Sequence, residues 1–157
     1  MKSVISGIFV AFSMYSAIPV PQVNWEKQTM RWALGFLPLI GVLIGAIEWF
    51  WFAFCMHFGA AGVFYAVIAA LIPLAVSGGI HLDGFADTSD ALSSYGDREK
   101  KLAILKDPHC GAFAVIRLCG YFVLYFALCA CLRFTPRVGA VWTLALVLER
   151  TLSGYAV

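Results

Sequence analysis

Long apolar segments alternate with short polar ones along most of this chain. Four runs come close to or exceed the ~20 apolar residues that a helix needs to cross a ~30 Å hydrocarbon core. They are Leu34–Met56, Ala60–Ser77, Gly111–Leu132 and Val138–Val157. We therefore predict four membrane-spanning helices, the last of them running to the end of the sequence.

A fifth apolar run, Met1–Ile18, is shorter, contains several serines and stops at Pro19. Large residues occupy the place where a signal peptidase would need small ones, so we expect this segment to be retained. We interpret it as interfacial or re-entrant.

One polar interval, 81–109, interrupts the apolar pattern. The pattern of Asp97–Lys106 in this interval predicts a short amphipathic helix, with Gly96 as a helix breaker before it and Pro108 ending it. No internal repeat is evident. The prediction is an all-α, multi-pass transmembrane bundle, a single membrane domain over residues 1–157, with one Asp-rich polar segment.

Composition supports a membrane protein. Hydrophobic residues make up 62% of the chain and charged residues 13%, with a mean hydropathy of +0.86, whereas soluble domains are roughly half apolar and a quarter charged. The net charge of +2 is small and scattered, which argues against nucleic acid as a partner. The five cysteines fall mostly within apolar segments and show no CxxC spacing. We expect them to be small hydrophobes in lipid-buried helices and not ligands of a zinc site or members of a disulfide.

Lysine and arginine in short loops mark the cytoplasmic side of a membrane protein. Basic residues precede the first predicted span and recur in the polar interval: Lys27, Arg31, Arg98, Lys100, Lys101 and Lys106. The Asp-rich segment is therefore predicted to face the cytoplasm. Arg133 and Arg137 fall in a loop on the opposite side and run against this assignment.

The polar interval begins with three aspartates, Asp83, Asp87 and Asp90, at i, i+4 and i+7. On an α-helix these carboxylates share one face and repel one another, so a cation would compensate them. Oxygen ligands favour Mg²⁺, commonly shared with substrate phosphates. From spacing alone, a solvated acidic face is equally good, and His81 fits a ligand, a general base or a polar cap.

Charges inside the predicted spans are few, and each is a functional candidate by default. They are Glu48, Arg117, Glu149 and Arg150. An ion pair between Glu48 and Arg117, or a position of these residues at the membrane interface, is as good an interpretation as a catalytic role.

The stretch HLDGFADTSDALSS, followed by DREKKLAILKDPHCGAFAV, resembles the signature of the cobalamin-5′-phosphate synthase family, the adenosylcobinamide-GDP ribazoletransferases. FSMYSAIPVP, FLPLIGVLIG and ERTLSG are similar to further motifs of that family. Two departures stand out. Ala17 occupies a position where the family usually has a basic residue, and the chain stops inside its last apolar run, which leads us to expect a shortened form whose activity cannot be presumed.

The resemblance implies an Mg²⁺-dependent enzyme of the bacterial inner membrane with its active site facing the cytoplasm. Its substrates would be adenosylcobinamide-GDP and α-ribazole or its 5′-phosphate, and it would release GMP in cobalamin biosynthesis. Catalytic roles would fall to His81, Asp83, Asp87, Asp90 and Asp107, with the first three aspartates holding Mg²⁺. Substrate binding would fall to Asp97, Arg98, Lys106 and Arg150. Assembly into a homo-oligomer is compatible with the resemblance.

Two other functions compete with this assignment. A CDP-alcohol phosphotransferase also holds a metal through an aspartate-rich motif, but the Ala-Arg pair and the longer spacing of that motif are missing here. A cation transporter or channel could use acidic residues as an ion site. Its acids are expected within broken helices near the midplane, not beside a basic helix.

Overall fold

The computed structural model describes residues 2–21, 23, 27–60 and 62–155, with the side chains of residues 2, 3, 27, 28 and 31 excepted. These residues form helices and no strand, which confirms the all-α class. The helices are α1 (Lys2–Tyr15), α2 (Lys27–Gly35), α3 (Leu37–Phe58), α4 (Val63–Ser77), α5 (Ile80–Ser93), α6 (Arg98–Ile104), α7 (Ala112–Ala130) and α8 (Pro136–Tyr155).

Two helices in this part of the chain are long and apolar enough to cross a membrane, Trp32–Phe58 and Ala112–Ala130. The pair α4 and α5 adds a third if it counts as one broken span. Helix α8, which corresponds to the predicted span 138–157, is not among them and carries Glu149 and Arg150. Residues 156 and 157 lie outside the described part, and a fourth span stays a prediction.

Helix α1 is too short to span a bilayer by itself, since its 14 residues fall below the ~20 required. It packs on α2, where a Cβ at Gly7 would lie 2.6 Å from Trp32 Cβ. Val10, Ala11 and Ala33 are buried between the helices. This arrangement is compatible with the interfacial or re-entrant interpretation, which stays a prediction.

Helices α3 and α8 lie very close together because α3 presents two glycines to α8. A Cβ at Gly41 would lie 3.0 Å from the Val147 backbone, and one at Gly45 would lie 3.0 Å from Thr143. Glycines four residues apart let two helix backbones approach, and such pairs are frequent at helix interfaces in membranes. The FLPLIGVLIG motif thus fixes the α3–α8 contact.

At the other end of the bundle, aromatic rings join α3 and α4 to the α7–α8 connection. Phe134 stacks on Phe52 at 4.8 Å between ring centroids and meets Tyr65 edge-on at 5.0 Å. Cys55 and Cys129 are buried beside them. All five cysteines are free, and Cys110, Cys119 and Cys131 are exposed in the structure.

Helices α4 and α5 meet at an angle of 93°. The bend falls on Gly78 and Gly79, whose φ angles are +64° and +81°. Glycine adopts these left-handed angles without the steric penalty of a Cβ. The bend turns the polar helix α5 away from the apolar α4 and sets the start of the candidate site.

Candidate functional site

The three aspartates lie on one regular helix, α5, so the predicted shared face is confirmed. Asp83 is exposed and Asp87 is half-buried. Ala86 and Ser89 point into the protein. The aspartate segment is therefore part of a helix that begins at the glycine bend.

Asp90 differs from the other two because it binds the start of α7. Its Oδ2 accepts a hydrogen bond of 2.7 Å from Gly111 N, and its Oδ1 accepts one of 2.8 Å from Ala114 N. Gly111 is the N-cap residue of α7 and has no side chain to accept these bonds itself. Asp90 thus caps α7 from another helix, and its negative charge also stabilises the positive end of the α7 dipole.

Asp83 and Asp87 are the carboxylates left for a cation. No group of three or more His, Cys, Asp or Glu side chains in the described residues could hold a metal ion by itself. Mg²⁺, however, is usually held by one or two carboxylates together with substrate phosphates and water. The pair Asp83 and Asp87 fits that requirement, and these are the residues that would hold the ion.

His81 lies on the first turn of α5 and lines a cavity of about 240 Å³. The cavity is formed by α4, α5, α7 and α8. Its lining residues are Ala70, Pro73, Leu74, Ser77, His81, Leu82, Phe85, Tyr121, Phe122, Glu149 and Arg150. We call this the His81–Arg150 cavity.

The polar groups of this cavity are incompletely satisfied within the described part of the protein. Arg150 is only 7% exposed, and its Nε and Nη1 have no hydrogen-bond partner. Arg150 Nε lies 2.8 Å from Glu149 Oε2, an ion-pair distance without hydrogen-bond alignment. His81 Nδ1 is buried and also has no partner. Because unsatisfied buried donors are costly, Arg150 Nη1 is suited to an acceptor oxygen of a ligand, beside the Glu149 carboxylate that also lines the cavity.

The N-terminal motif reaches the same place. Ala17 N donates a 2.9 Å hydrogen bond to Val76 O at the end of α4, and the ring of Tyr15 lies 6.2 Å from that of His81. A Cβ at Gly78 would lie 3.2 Å from Ala17 Cβ. The small side chain of Ala17, the departure noted in the sequence, therefore packs against the glycine bend.

A second cavity of about 200 Å³ lies on the other side of His81. It is lined by Tyr15, Leu34, Leu37, Ile80, His81 and Ser153. Segments far apart in the sequence, around residues 15, 81 and 150, thus converge on one histidine.

The other predicted site residues lie elsewhere on the surface. Asp97 caps α6, where its Oδ1 accepts from Lys100 N at 2.9 Å. Arg98 and Lys106 are exposed. None of these residues lines the His81–Arg150 cavity, and their substrate-binding roles stay predictions.

Asp107 is held by its neighbour His109 on the connection between α6 and α7. Its Oδ1 accepts a 2.9 Å hydrogen bond from His109 N and lies 2.6 Å from His109 Nδ1. These hydrogen bonds, first that from the backbone, lower the pKa of the Asp107 carboxyl. Asp107 is thus favoured as an anion, and its catalytic role stays a prediction.

Sequence reasoning missed Tyr121, which lines the His81–Arg150 cavity from α7. It also paired Glu48 with Arg117, and this alternative is wrong. Glu48 is fully buried and accepts a 3.4 Å hydrogen bond from Trp142 Nε1, while Arg117 is exposed on α7. The only sequence signal for Trp142 was its place in the apolar run 138–157.

Together, the fold and the site define a helical protein with membrane-spanning candidates and a polar site at a broken helix pair. Residues 7–157 match the family described as cobalamin-5-phosphate synthase, and the chain belongs to this family. A comparison with solved structures gave no significant match.

Curated relatives carry the name adenosylcobinamide-GDP ribazoletransferase. The protein of Lachnoclostridium phytofermentans is 44% identical over 98% of this chain and 58% of its own length. Those of Clostridium perfringens and Listeria monocytogenes are each 35% identical, over 81% and 84% of this chain and 51% and 53% of their own lengths. The chain thus spans between half and three-fifths of the length of these relatives.

Proposed function

We propose that this chain carries the donor-activating part of an adenosylcobinamide-GDP ribazoletransferase. The relatives' name supports the reaction. The observation that carries the proposal is the His81–Arg150 cavity. In it, Arg150 Nη1 and His81 Nδ1 lack hydrogen-bond partners, and His81 lies on the first turn of the helix that bears Asp83 and Asp87. A substrate that reacts at a diphosphate needs cationic hydrogen-bond donors and a metal ion to neutralise its charge.

In the proposed reaction, a ribose hydroxyl of α-ribazole or its 5′-phosphate forms a bond to the cobinamide-linked phosphorus. The bond from that phosphorus to the oxygen of GMP breaks, and GMP leaves with the electron pair. The products are adenosylcobalamin, or its 5′-phosphate, and GMP.

The residues of this chain would divide the work. Arg150, whose Nε is ion-paired with Glu149, would donate to a diphosphate oxygen from Nη1, which has no hydrogen-bond partner. His81 would take the proton of the attacking hydroxyl through a ring nitrogen. Asp83 and Asp87 would hold Mg²⁺, which when bound neutralises charge on the diphosphate and its leaving group. Asp90 positions α5 against α7.

We further propose that the protein resides in the bacterial inner membrane and that the site faces the cytoplasm. Two observations support this: the apolar helices Trp32–Phe58 and Ala112–Ala130, and the basic residues from Arg98 to Lys106 that flank the aspartate helix. Lys27 and Arg31 favour the same orientation from the sequence, but the structure does not describe their side chains.

Replacement of one metal-site carboxylate tests the proposal. In the complete protein, Asp87→Asn should lower Mg²⁺-dependent GMP release by roughly 100-fold or more, because charge compensation at the diphosphate is lost. Glu99→Gln on α6 is the matched control, since Glu99 is an exposed carboxylate away from the site, and it should keep full activity.

Undiminished turnover of Asp87→Asn would remove this residue from the metal site. Donor choice tests the reaction itself. The unsubstituted protein should release GMP from adenosylcobinamide-GDP and no CMP from a CDP-alcohol, and the opposite result would indicate a CDP-alcohol phosphotransferase.

A further inference from the structure

A larger cavity of about 590 Å³ lies between the end of α5, α6 and the first turns of α7. Its lining residues are Leu92, Ser93, Ser94, Tyr95, Gly96, Lys101, Phe113, Ile116 and Arg117. None of them lines the His81–Arg150 cavity. We call it the Lys101–Arg117 cavity.

The charges in this cavity are all positive. Lys101 and Arg117 line it, and no Asp or Glu does. Neither cation forms an ion pair within the described residues. Arg117 lies on a candidate membrane-spanning helix, where a charge without a partner is unfavourable and points to a ligand or function.

The neutral polar groups of the cavity complete an anion site. Ser93 and Tyr95 are lining residues with hydroxyl groups, whereas the Ser94 hydroxyl already donates a 2.8 Å hydrogen bond to Ala91 O. Hydroxyls that can donate are suited, together with Arg and Lys, to phosphate oxygens. Leu92, Phe113 and Ile116 supply an apolar floor. A ligand with a phosphate group and an apolar or ring portion fits this combination.

The position of the cavity relates it to the aspartate helix. Ser94 N donates a 3.0 Å hydrogen bond to Asp90 O, and Asp90 in turn accepts from Ala114 N. Ser94 and Arg117 therefore lie about one helical turn from the Asp90 clamp, on either side of it. A ligand in this cavity would lie beside the helix proposed to hold the metal.

We propose that the Lys101–Arg117 cavity binds the 5′-phosphate of the acceptor, α-ribazole 5′-phosphate, an inference that rests on the proposed function. A phosphomonoester carries a charge of about −1.5 to −2 at pH 7. The two positive charges of Lys101 and Arg117 balance it. A lipid headgroup phosphate is a diester with one negative charge and matches them less well.

Binding of ribose 5-phosphate to the purified 157-residue chain by calorimetry tests the subsite without catalysis. Arg117→Gln and Lys101→Gln should each weaken binding by roughly 10-fold or more, the loss expected for a charged hydrogen bond. Arg117→Lys should restore part of it. Arg133→Gln, an exposed charge outside the cavity, should bind like the unsubstituted chain, and ribose should not bind measurably.

Equal affinity of Arg117→Gln and the unsubstituted chain for ribose 5-phosphate would overturn the proposal. The proposal would also be overturned if phosphatidylglycerol nanodiscs displaced ribose 5-phosphate and phosphatidylcholine nanodiscs did not. That result would assign the cavity to an anionic lipid.

Turnover of the complete protein separates this proposal from the proposed function. Arg117→Gln should reduce kcat/KM for α-ribazole 5′-phosphate while sparing that for α-ribazole. A loss equal for both acceptors would overturn the phosphate subsite alone. Absence of GMP release from the unsubstituted protein would refute the proposed function, and the ribose 5-phosphate titration would still decide the subsite.

Discussion

Asp83 and Asp90 carry the same carboxylate on the same helix, yet their surroundings differ. Asp83 is exposed to solvent, whereas both oxygens of Asp90 accept backbone hydrogen bonds from α7. A Cβ at Gly111 would lie 2.7 Å from the Asp90 carboxylate, so the glycine makes room for it. At the scale of single residues, one aspartate is free to meet a ligand and another holds the fold.

This difference predicts different effects of mutation on stability. Asp90→Ala should destabilise the protein by about 1 to 2 kcal/mol, because the N-terminus of α7 loses its cap and a favourable charge. Asp83→Ala should change stability by less than about 0.5 kcal/mol, as exposed substitutions usually do. Thermal unfolding of both variants in the same detergent provides the measurement, and equal melting temperatures would show that Asp90 does not act as a cap.

The sequence allowed the shared face of the aspartates to be predicted, because i, i+4 and i+7 spacing depends only on helix geometry. It did not reveal that Asp90 caps a helix 21 residues further along the chain. The same holds for Trp142 and Glu48, which are 94 residues apart. Contacts of this kind depend on how helices pack, and no local pattern encodes them.

At the scale of helices, the junction of α4 and α5 determines where the site lies. The two left-handed glycines turn the chain by 93° and place His81 between two cavities. The apolar run that predicted a span over 60–77 ends at this junction as α4. The bend itself was not predicted, although the Gly-Gly pair is a local signal for a turn.

Gly78 and Gly84 should therefore respond in opposite ways to alanine. Gly78→Ala places a Cβ at positive φ and 3.2 Å from Ala17, and should destabilise by about 1 to 2 kcal/mol. Gly84 lies within α5, and a Cβ added there would meet nothing within 4 Å, so Gly84→Ala should stabilise by about 0.5 to 1 kcal/mol.

Chemical or thermal unfolding of the two variants checks this contrast. A stable Gly78→Ala protein would mean that the junction tolerates a conformation other than the left-handed one. In that case the bend would not be what holds His81 in place.

For the whole molecule, the main question is which end of the bundle faces the cytoplasm. Basic residues on α6 and around it favour the α5–α6 end. Arg133, between α7 and α8, and Arg137, in the first turn of α8, favour the opposite end. Helix α7 separates these two groups. Its 19 residues extend ~28 Å at 1.5 Å per residue, close to the thickness of the hydrocarbon core.

Two native cysteines mark the ends of α7 and can decide its orientation. Cys110 precedes the helix, Cys131 follows it, and both are exposed and free. In variants that keep only one of them, an impermeant maleimide should label Cys110 in inside-out vesicles and not in intact cells. Cys131 should show the reverse pattern.

The two labels distinguish the possible failures. Labelling of both thiols from the same side would show that α7 does not span the membrane. Labelling of Cys110 from outside and Cys131 from inside would show that α7 spans it in the opposite direction. In that arrangement the aspartate helix, which Asp90 ties to the Cys110 end of α7, would face away from the cytoplasmic substrates, and the proposed reaction could not take place there.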